Sequence, residues 1–175
     1  MANEIEKTLE ALKTAIQMEI DGKQFYLKVS RESGNELGKE LLQSLAGEED
    51  IHRKKFEEIF ENIRTEKSWL PVDFRPDRGK RLRTIFIRAS DKTGSNLKAL
   101  TTELEAVETA RGMEVKSYDF YKRQSKKAMF TAEKDFYETI AGEEQGHQLI
   151  LQDYYEYMTN PAGWFVKNER PSLEG

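Results

Sequence analysis

Apolar side chains recur at helical spacing along four long stretches of the chain, and glycine, proline and asparagine residues separate these stretches. Each stretch places its apolar residues on one stripe, as in a helix that packs one face against a core. The pattern therefore predicts four long helices. They cover roughly Glu4 to Arg31, the segment from Asn35 to shortly before Pro71, a segment that starts near Thr102, and Thr131 to Thr159.

Residues at the ends of these stretches supply helix start and stop signals. Asn35 is a residue type that favours the N-cap position, and the spacing from Thr102 to Glu105 fits a capping box at the start of the third helix. Asn160 followed by Pro161 predicts the end of the fourth helix. These signals agree with the boundaries that the apolar pattern gives.

The segment between the second and third helices, about residues 67–98, is too long for a hairpin loop between adjacent antiparallel helices. Its length predicts a crossover that runs along the bundle. Within it, the segment from Arg75 to Arg88 carries a basic cluster around Ile85, Phe86 and Ile87. Two interpretations stay open for this cluster: a short helix packed outside the bundle, or a solvated basic face.

The chain repeats itself after a shift of 95 residues, and the alignment needs no gap. The matching pairs include Glu19 and Glu114, Tyr26 and Tyr121, Glu49 and Glu144, His52 and His147, and Trp69 and Trp164. Each half, about 4–69 and 99–164, predicts one helix hairpin that cannot bury its apolar stripe alone. We therefore expect a single all-α domain over residues 1–175. It would be a four-helix bundle of two repeated helix hairpins joined by the long crossover, with a tail at 161–175.

Composition limits the chemistry that this bundle can perform. With 28 basic and 32 acidic residues the net charge is −4, which gives no reason to expect nucleic acid or a membrane surface as a partner. No apolar run approaches the roughly 20 residues of a membrane span, and we expect a cytoplasmic protein. The sequence has no cysteine, which excludes disulfides, thiol nucleophiles and thiolate-bound zinc or iron–sulfur centres of its own.

Four glutamates and two histidines form the candidate site. Glu49 and His52 are three residues apart, as are Glu144 and His147, so each pair projects from one helix face. Glu19 and Glu114 lie in the middle of the other two helices, on stripes that are otherwise apolar. Buried, unpaired carboxylates are costly, whereas two divalent cations neutralise four of them and leave both imidazoles neutral. The spacing therefore predicts a two-metal site at mid-bundle.

Other residues on these stripes are candidates for supporting roles. Tyr26 lies two turns after Glu19, and Tyr121 two turns after Glu114, so each phenol is expected to hydrogen-bond a ligand carboxylate or simply to pack in the core. Small residues follow the same two glutamates after one turn, Gly22 and Ser117, and would leave room beside the metals for dioxygen, peroxide or water.

Two further pairs of residues occupy matching places in the two halves of the repeat. Glu48 and Glu143 directly precede the ligand glutamates on another side of their helices, which predicts surface groups or groups that support a ligand. Trp69 and Trp164 follow the second and fourth helices and are expected to close the bundle ends.

These residues together resemble the rubrerythrin-like branch of the ferritin-like superfamily. The resemblance is carried by Glu19 with Tyr26, Glu49-x-x-His52, Glu114 with Tyr121, Glu144-x-x-His147, and the tail Gly163-Trp164-Phe165 with Glu169-Arg170. It implies a ferritin-like bundle with a non-haem di-iron centre, held by the six residues above, that reacts with peroxide or dioxygen. Ligand type alone also admits other divalent metals such as manganese or zinc.

The chain departs from that family in two respects. Rubrerythrins proper carry a cysteine-ligated rubredoxin iron, so here electrons would come from a separate protein such as a rubredoxin-like donor. Rubrerythrins also place a further glutamate one turn after the third-helix ligand, where this chain has Ser117. The six remaining ligands are similar to the symmetric set of bacterioferritin-like centres.

Three functions fit this sequence. The leading interpretation is a di-iron oxidoreductase that reacts with hydrogen peroxide or dioxygen; the resemblance implies peroxide reduction in defence against oxidative stress. The second is a ferroxidase or iron-handling protein, for which Fe(II) is the substrate, and the third is a bundle that holds zinc or manganese without redox turnover. Oxygenase chemistry would need an apolar pocket beside the metals. The long crossover and the aromatic tail offer packing surface, so we expect a homodimer.

Overall fold

Six helices account for most of the chain in the computed structural model, which describes residues 2–173 and the side chains of residues 2–168. The helices are α1 (Ala2–Glu32), α2 (Glu36–Glu66), α3 (Lys80–Thr93), α4 (Thr101–Lys127), α5 (Thr131–Thr159) and α6 (Pro161–Leu173). No strand occurs within the described range. The all-α bundle is confirmed. The four predicted helices correspond to α1, α2, α4 and α5.

The helix ends follow the predicted signals in most places. Asn35 caps α2, because its side-chain oxygen accepts a hydrogen bond of 2.6 Å from the backbone N–H of Gly38. The predicted capping box of Thr102 and Glu105 is wrong. Helix α4 begins at Thr101, with Leu100 at the N-cap and no side-chain hydrogen bond there, so Thr102 already lies inside the first turn.

Helix α1 packs along α2, and α4 packs along α5. The crossover between α2 and α4 contains α3, which packs against α2 and α5 and buries Leu82, Phe86 and Ala89. The Phe86 ring meets Trp164 at a centroid distance of 5.2 Å. The basic residues lie on the other side of α3, where Arg83 pairs with Asp153 at 3.0 Å. Both interpretations of the basic cluster therefore hold, since one helix presents an apolar and a solvated face.

Buried apolar side chains form two clusters, and the predicted metal ligands lie between them on every long helix. The first cluster contains Tyr26, Val29, Leu37, Leu41, Leu42, Leu45, Ala46, Val107, Ala110, Ile150, Leu151, Tyr154, Tyr157, Met158 and Trp164, together with residues of α3. The second contains Leu12, Ala15, Phe56, Ile59, Ile63, Trp69, Tyr121, Phe136, Tyr137, Ile140 and Ala141. The end of α1 thus meets the start of α4, so these two helices run antiparallel.

The segments that flank the bundle are also placed by aromatic contacts. Trp69 belongs to one apolar cluster and Trp164 to the other, so the two tryptophans close opposite ends. The predicted C-terminal tail contains α6, and the side chains of Glu169 and Arg170 lie outside the described residues. Among the described residues, no helix has an apolar stretch long enough to cross a membrane.

Candidate metal centre

Six side chains from four helices converge at the middle of the bundle. Helix α1 contributes Glu19, α2 contributes Glu49 and His52, α4 contributes Glu114, and α5 contributes Glu144 and His147. Each is at most 3 % exposed. The structure therefore brings together all six residues that the spacing singled out, and their role as ligands stays a prediction.

The six residues form two overlapping groups of four. In the first, Nδ1 of His52 lies 3.1 Å from Oε1 of Glu144 and 3.5 Å from Oε2 of Glu19. Glu49 completes this group, and within it one ligand atom from each residue lies within 4.8 Å of the others. We call this set the His52 position.

The second group mirrors the first across the bundle. Nδ1 of His147 lies 3.1 Å from Oε1 of Glu49 and 3.3 Å from Oε1 of Glu114, and Glu144 completes the set. We call it the His147 position. The two imidazole rings are nearly parallel, with 9° between their planes and 5.6 Å between their centroids. Glu49 and Glu144 belong to both positions, so they are the carboxylates suited to bridge two ions.

Several inward-facing polar atoms of this centre have no hydrogen-bond partner among the described residues. Among the described residues, eight buried side-chain nitrogen or oxygen atoms make no hydrogen bond, and seven of them belong to these six residues. Leaving a buried polar atom unpaired costs about 1–3 kcal/mol. Inward-facing carboxylate oxygens and imidazole nitrogens without partners are the donor set that a pair of divalent cations satisfies. The residues therefore fit two metal ions.

Two tyrosines support the glutamates across the bundle. The hydroxyl of Tyr26 donates to Glu114, and that of Tyr121 donates to Glu19. Each phenol thus bonds a candidate ligand, as predicted, but the ligand lies on the opposite half of the repeat because α1 and α4 are antiparallel. Burial and the neighbouring carboxylates raise the pKa of both tyrosines well above the usual range, so both stay protonated donors.

Glu48 and Glu143 are not surface groups, contrary to one of the two sequence interpretations. Glu48 is 7 % exposed and Glu143 is 3 % exposed. Oε2 of Glu48 lies 2.9 Å from Nε2 of His147, and Oε1 of Glu143 accepts a hydrogen bond of 2.9 Å from the backbone N–H of Arg78. As helical spacing predicts, both side chains lie on another side of their helices from the candidate ligands Glu49 and Glu144. The crossover was predicted, but local sequence patterns do not show that it and the partner hairpin cover these two side chains.

The small residue on α1 has a different role from the one expected. A Cβ atom built on Gly22 would lie 2.6 Å from Oε2 of Glu49, so the space beside Gly22 is taken by that carboxylate and not by a small oxidant. Ser117, its counterpart on α4, is partly buried. A cavity of about 160 Å³ lies instead beside His52, lined by Glu48, Phe74 and other residues.

Without metal, the two carboxylates shared by both positions favour the protonated form. Burial, followed by the charges of Glu19 and Glu114, raises the pKa of Glu49 well above the usual range for glutamate. Burial and the charges of Glu114 and Glu49 do the same for Glu144. Both groups that are shared between the two positions therefore hold protons that a metal ion must displace.

Comparison with known proteins adds one finding. A family model described as rubrerythrin matches residues 10–155 of the 175-residue chain. No curated protein and no solved structure gave a significant match.

Proposed function

The chain belongs to the rubrerythrin family, and from this premise we propose that it is a di-iron oxidoreductase that reacts with hydrogen peroxide or dioxygen. The observation that carries the proposal is the concentration of unpaired buried atoms at one place: seven such atoms on six residues face a common centre. Four carboxylates supply four negative charges, which two divalent cations balance. The donor set admits several divalent ions, and the family favours iron.

Two of the six residues belong to both metal positions, and the other four belong to one position each. Glu49 and Glu144 are common to both positions and suit a bridging role, whereas Glu19 with His52 and Glu114 with His147 each face one position. A pair of ferrous ions held by these six residues would supply the two electrons that, with two protons, reduce hydrogen peroxide to two waters. Tyr26 and Tyr121 fix the orientation of Glu114 and Glu19 through their hydrogen bonds.

Turnover needs a reductant from outside the chain. The sequence contains no cysteine and thus no thiolate-bound iron to relay electrons. A rubredoxin-like protein is the donor that the family suggests. We propose that it returns two electrons for each peroxide reduced.

One observation favours a second function, oxidation of Fe(II) as a substrate. Ser117 occupies the place where rubrerythrins carry an additional glutamate, which leaves a symmetric set of six residues similar to bacterioferritin-like centres. Consumption of Fe(II) well beyond two ions per chain, with release of ferric product, would favour this function over peroxide reduction.

The proposal is tested by metal analysis and a peroxide challenge. Protein purified without added metal is analysed for elements, titrated anaerobically with Fe(II), and followed by absorbance after hydrogen peroxide is added. We expect about two irons per chain and a ferric absorption band. A Glu49→Gln, Glu144→Gln double variant should lose both, and a Glu58→Gln variant, changed at an exposed position of α2, should keep both. Zinc that iron cannot displace, or an unchanged double variant, would contradict the proposal.

A further inference from the structure

The two candidate histidine ligands are held differently at the ring nitrogen that faces away from the metals. His147 is fully buried, its Nδ1 faces Glu49 and Glu114, and its Nε2 lies 2.9 Å from the Glu48 carboxylate. The outer nitrogen, Nε2, is therefore anchored, while Nδ1 faces the centre without a hydrogen-bond partner. A carboxylate on the outer nitrogen fixes the ring orientation and the tautomer in which Nδ1 presents its lone pair to a metal.

His52 lacks this second anchor. It is 2 % exposed, and among the described side chains its polar contacts run through Nδ1 alone, to Glu144 and Glu19. Its ring lines the cavity of about 160 Å³, beside Phe74 and Asp77. Phe74 covers the ring in an edge contact at a centroid distance of 5.8 Å. An apolar edge contact restrains the ring less than a charge-assisted hydrogen bond does.

The crossover causes the difference between the two histidines. In the 95-residue repeat Glu143 corresponds to Glu48 and would be the outer partner of His52. The backbone N–H of Arg78 binds that carboxylate instead, at 2.9 Å. Arg78 and Gly79 hold positive φ angles of 54° and 81°, and this turn lies directly against Gly146 of α5. The two halves share only one crossover, so only one histidine loses its carboxylate.

We infer that the two metal positions are unequal: the His147 position, anchored by Glu48, binds its ion first and releases it slowly, and the His52 position is where ions enter and leave. The inference rests on the two-metal centre of the proposed function. Glu48 acts in it as a positioning residue for His147. His52 is the exchangeable ligand, because no described side chain anchors its outer nitrogen and its ring lines the cavity.

Release of Zn(II) to a chromogenic chelator tests the inference without any redox step. Protein loaded with two Zn(II) per chain should release them in two phases of about one ion each. In a Glu48→Gln variant we expect the slow phase to accelerate about 10- to 100-fold while the fast phase keeps its rate. The matched Glu143→Gln variant, changed at the corresponding carboxylate of the repeat, should leave the slow phase unaltered, because Glu143 makes no contact with His147. Release in one phase, or acceleration of the slow phase by Glu143→Gln alone, would overturn the inference.

Crystals grown with one Zn(II) per chain provide a second measurement that does not depend on how well a variant folds. Anomalous scattering at the zinc edge should appear between Glu114 and His147. Equal scattering at both positions, or scattering beside Glu19 and His52 alone, would overturn the inference. A chain that binds two Zn(II) unequally but shows no ferric band with peroxide would retain the inference and lose the redox proposal. A chain that shows a ferric band with peroxide but binds its two Zn(II) equally would contradict the inference and leave the redox proposal standing.

Discussion

The hydroxyl of Tyr121 on α4 donates a hydrogen bond of 2.5 Å to Oε1 of Glu19 on α1. The bond joins the two halves of the repeat directly beside the candidate metals, and Tyr26 with Glu114 forms its counterpart. Each half therefore orients a ligand of the other half. The centre depends on the docking of the two hairpins as well as on the helices themselves.

Removing this hydroxyl should weaken metal binding. Tyr121→Phe leaves the ring packed against Phe56 and Tyr137 but frees the Glu19 carboxylate to rotate. We expect Zn(II) affinity to fall about tenfold or more, measured by competition with a chelator of known affinity. Tyr137→Phe is the matched control, since the Tyr137 hydroxyl is buried and has no hydrogen-bond partner among the described residues. Equal losses in the two variants would contradict the role given to Tyr121.

A single methyl group on α1 should disturb Glu49, the α2 carboxylate that belongs to both candidate metal positions. The Cβ atom of a Gly22→Ala variant would lie 2.6 Å from Oε2 of Glu49, so that carboxylate must move. We expect fewer than two Zn(II) per chain by elemental analysis. Gly112→Ala, at a helical glycine whose Cβ would meet nothing within 4 Å, should keep both ions and gain about 0.5–1 kcal/mol of helix stability. Full occupancy in the Gly22→Ala protein would contradict the prediction.

Stability of the metal-free protein should fall as pH rises. The pKa values of Glu49 and Glu144 are raised in the folded state, chiefly by burial, so the folded chain binds more protons than the unfolded chain above about pH 4. Glu114 acts in the opposite direction: burial raises its pKa, but the charge and hydrogen bond of His147 outweigh burial and lower it. For His147, burial lowers the pKa, but the charge and hydrogen bond of Glu114 outweigh burial and raise it well above the usual range, so this group acts with Glu49 and Glu144. With three groups against one, we expect a higher melting temperature near pH 5 than near pH 8.

Metal should reverse this pH dependence, because Zn(II) binds the deprotonated carboxylates. Thermal unfolding followed by circular dichroism, with chelator or with excess Zn(II), measures both cases. The Glu49→Gln, Glu144→Gln variant should show a flatter pH profile without metal. A metal-free protein whose stability rises with pH would contradict the assignment.

The contact between the crossover and α5 should tolerate no side chain at Gly146. A Cβ atom there would lie 2.9 Å from the carbonyl carbon and oxygen of Arg78. Gly146→Ala should therefore destabilise the metal-free protein by about 1–3 kcal/mol in chemical unfolding and speed proteolysis near residues 67–79. Gly142→Ala, whose Cβ would meet Arg78 only at 3.9 Å, is the control and should be nearly neutral.

Local periodicity predicted most of the fold and the six residues of the centre. Two residues three apart on a helix share a face whatever surrounds them, so Glu49 with His52 and Glu144 with His147 were readable from spacing alone. The repeat added the register between the two hairpins. The shared face of each pair depends on the chain within one turn, and the register depends only on comparing the two halves of the sequence.

Features that depend on how distant segments dock were not predictable. Tyr26 and Tyr121 each donate a hydrogen bond to a glutamate on the other of the two helices. This follows from the antiparallel arrangement of α1 and α4, which the periodicity of the sequence does not predict. The burial of Glu48 and Glu143 depends on the path of the crossover. The start of α4 lies within one residue of the predicted position, but Thr102 lies inside the first turn, so the capping box that its spacing to Glu105 suggests does not form.

The placement of the polar centre between two apolar clusters has a thermodynamic consequence. Each long helix crosses from one cluster to the other through a carboxylate layer, so that layer is the weakest section of the metal-free core. Two cations turn the same layer into the strongest crosslink, because four helices share their ligands. We therefore expect the metal-loaded protein to unfold as one cooperative unit, and the metal-free protein to unfold in two units, one at each end of the bundle.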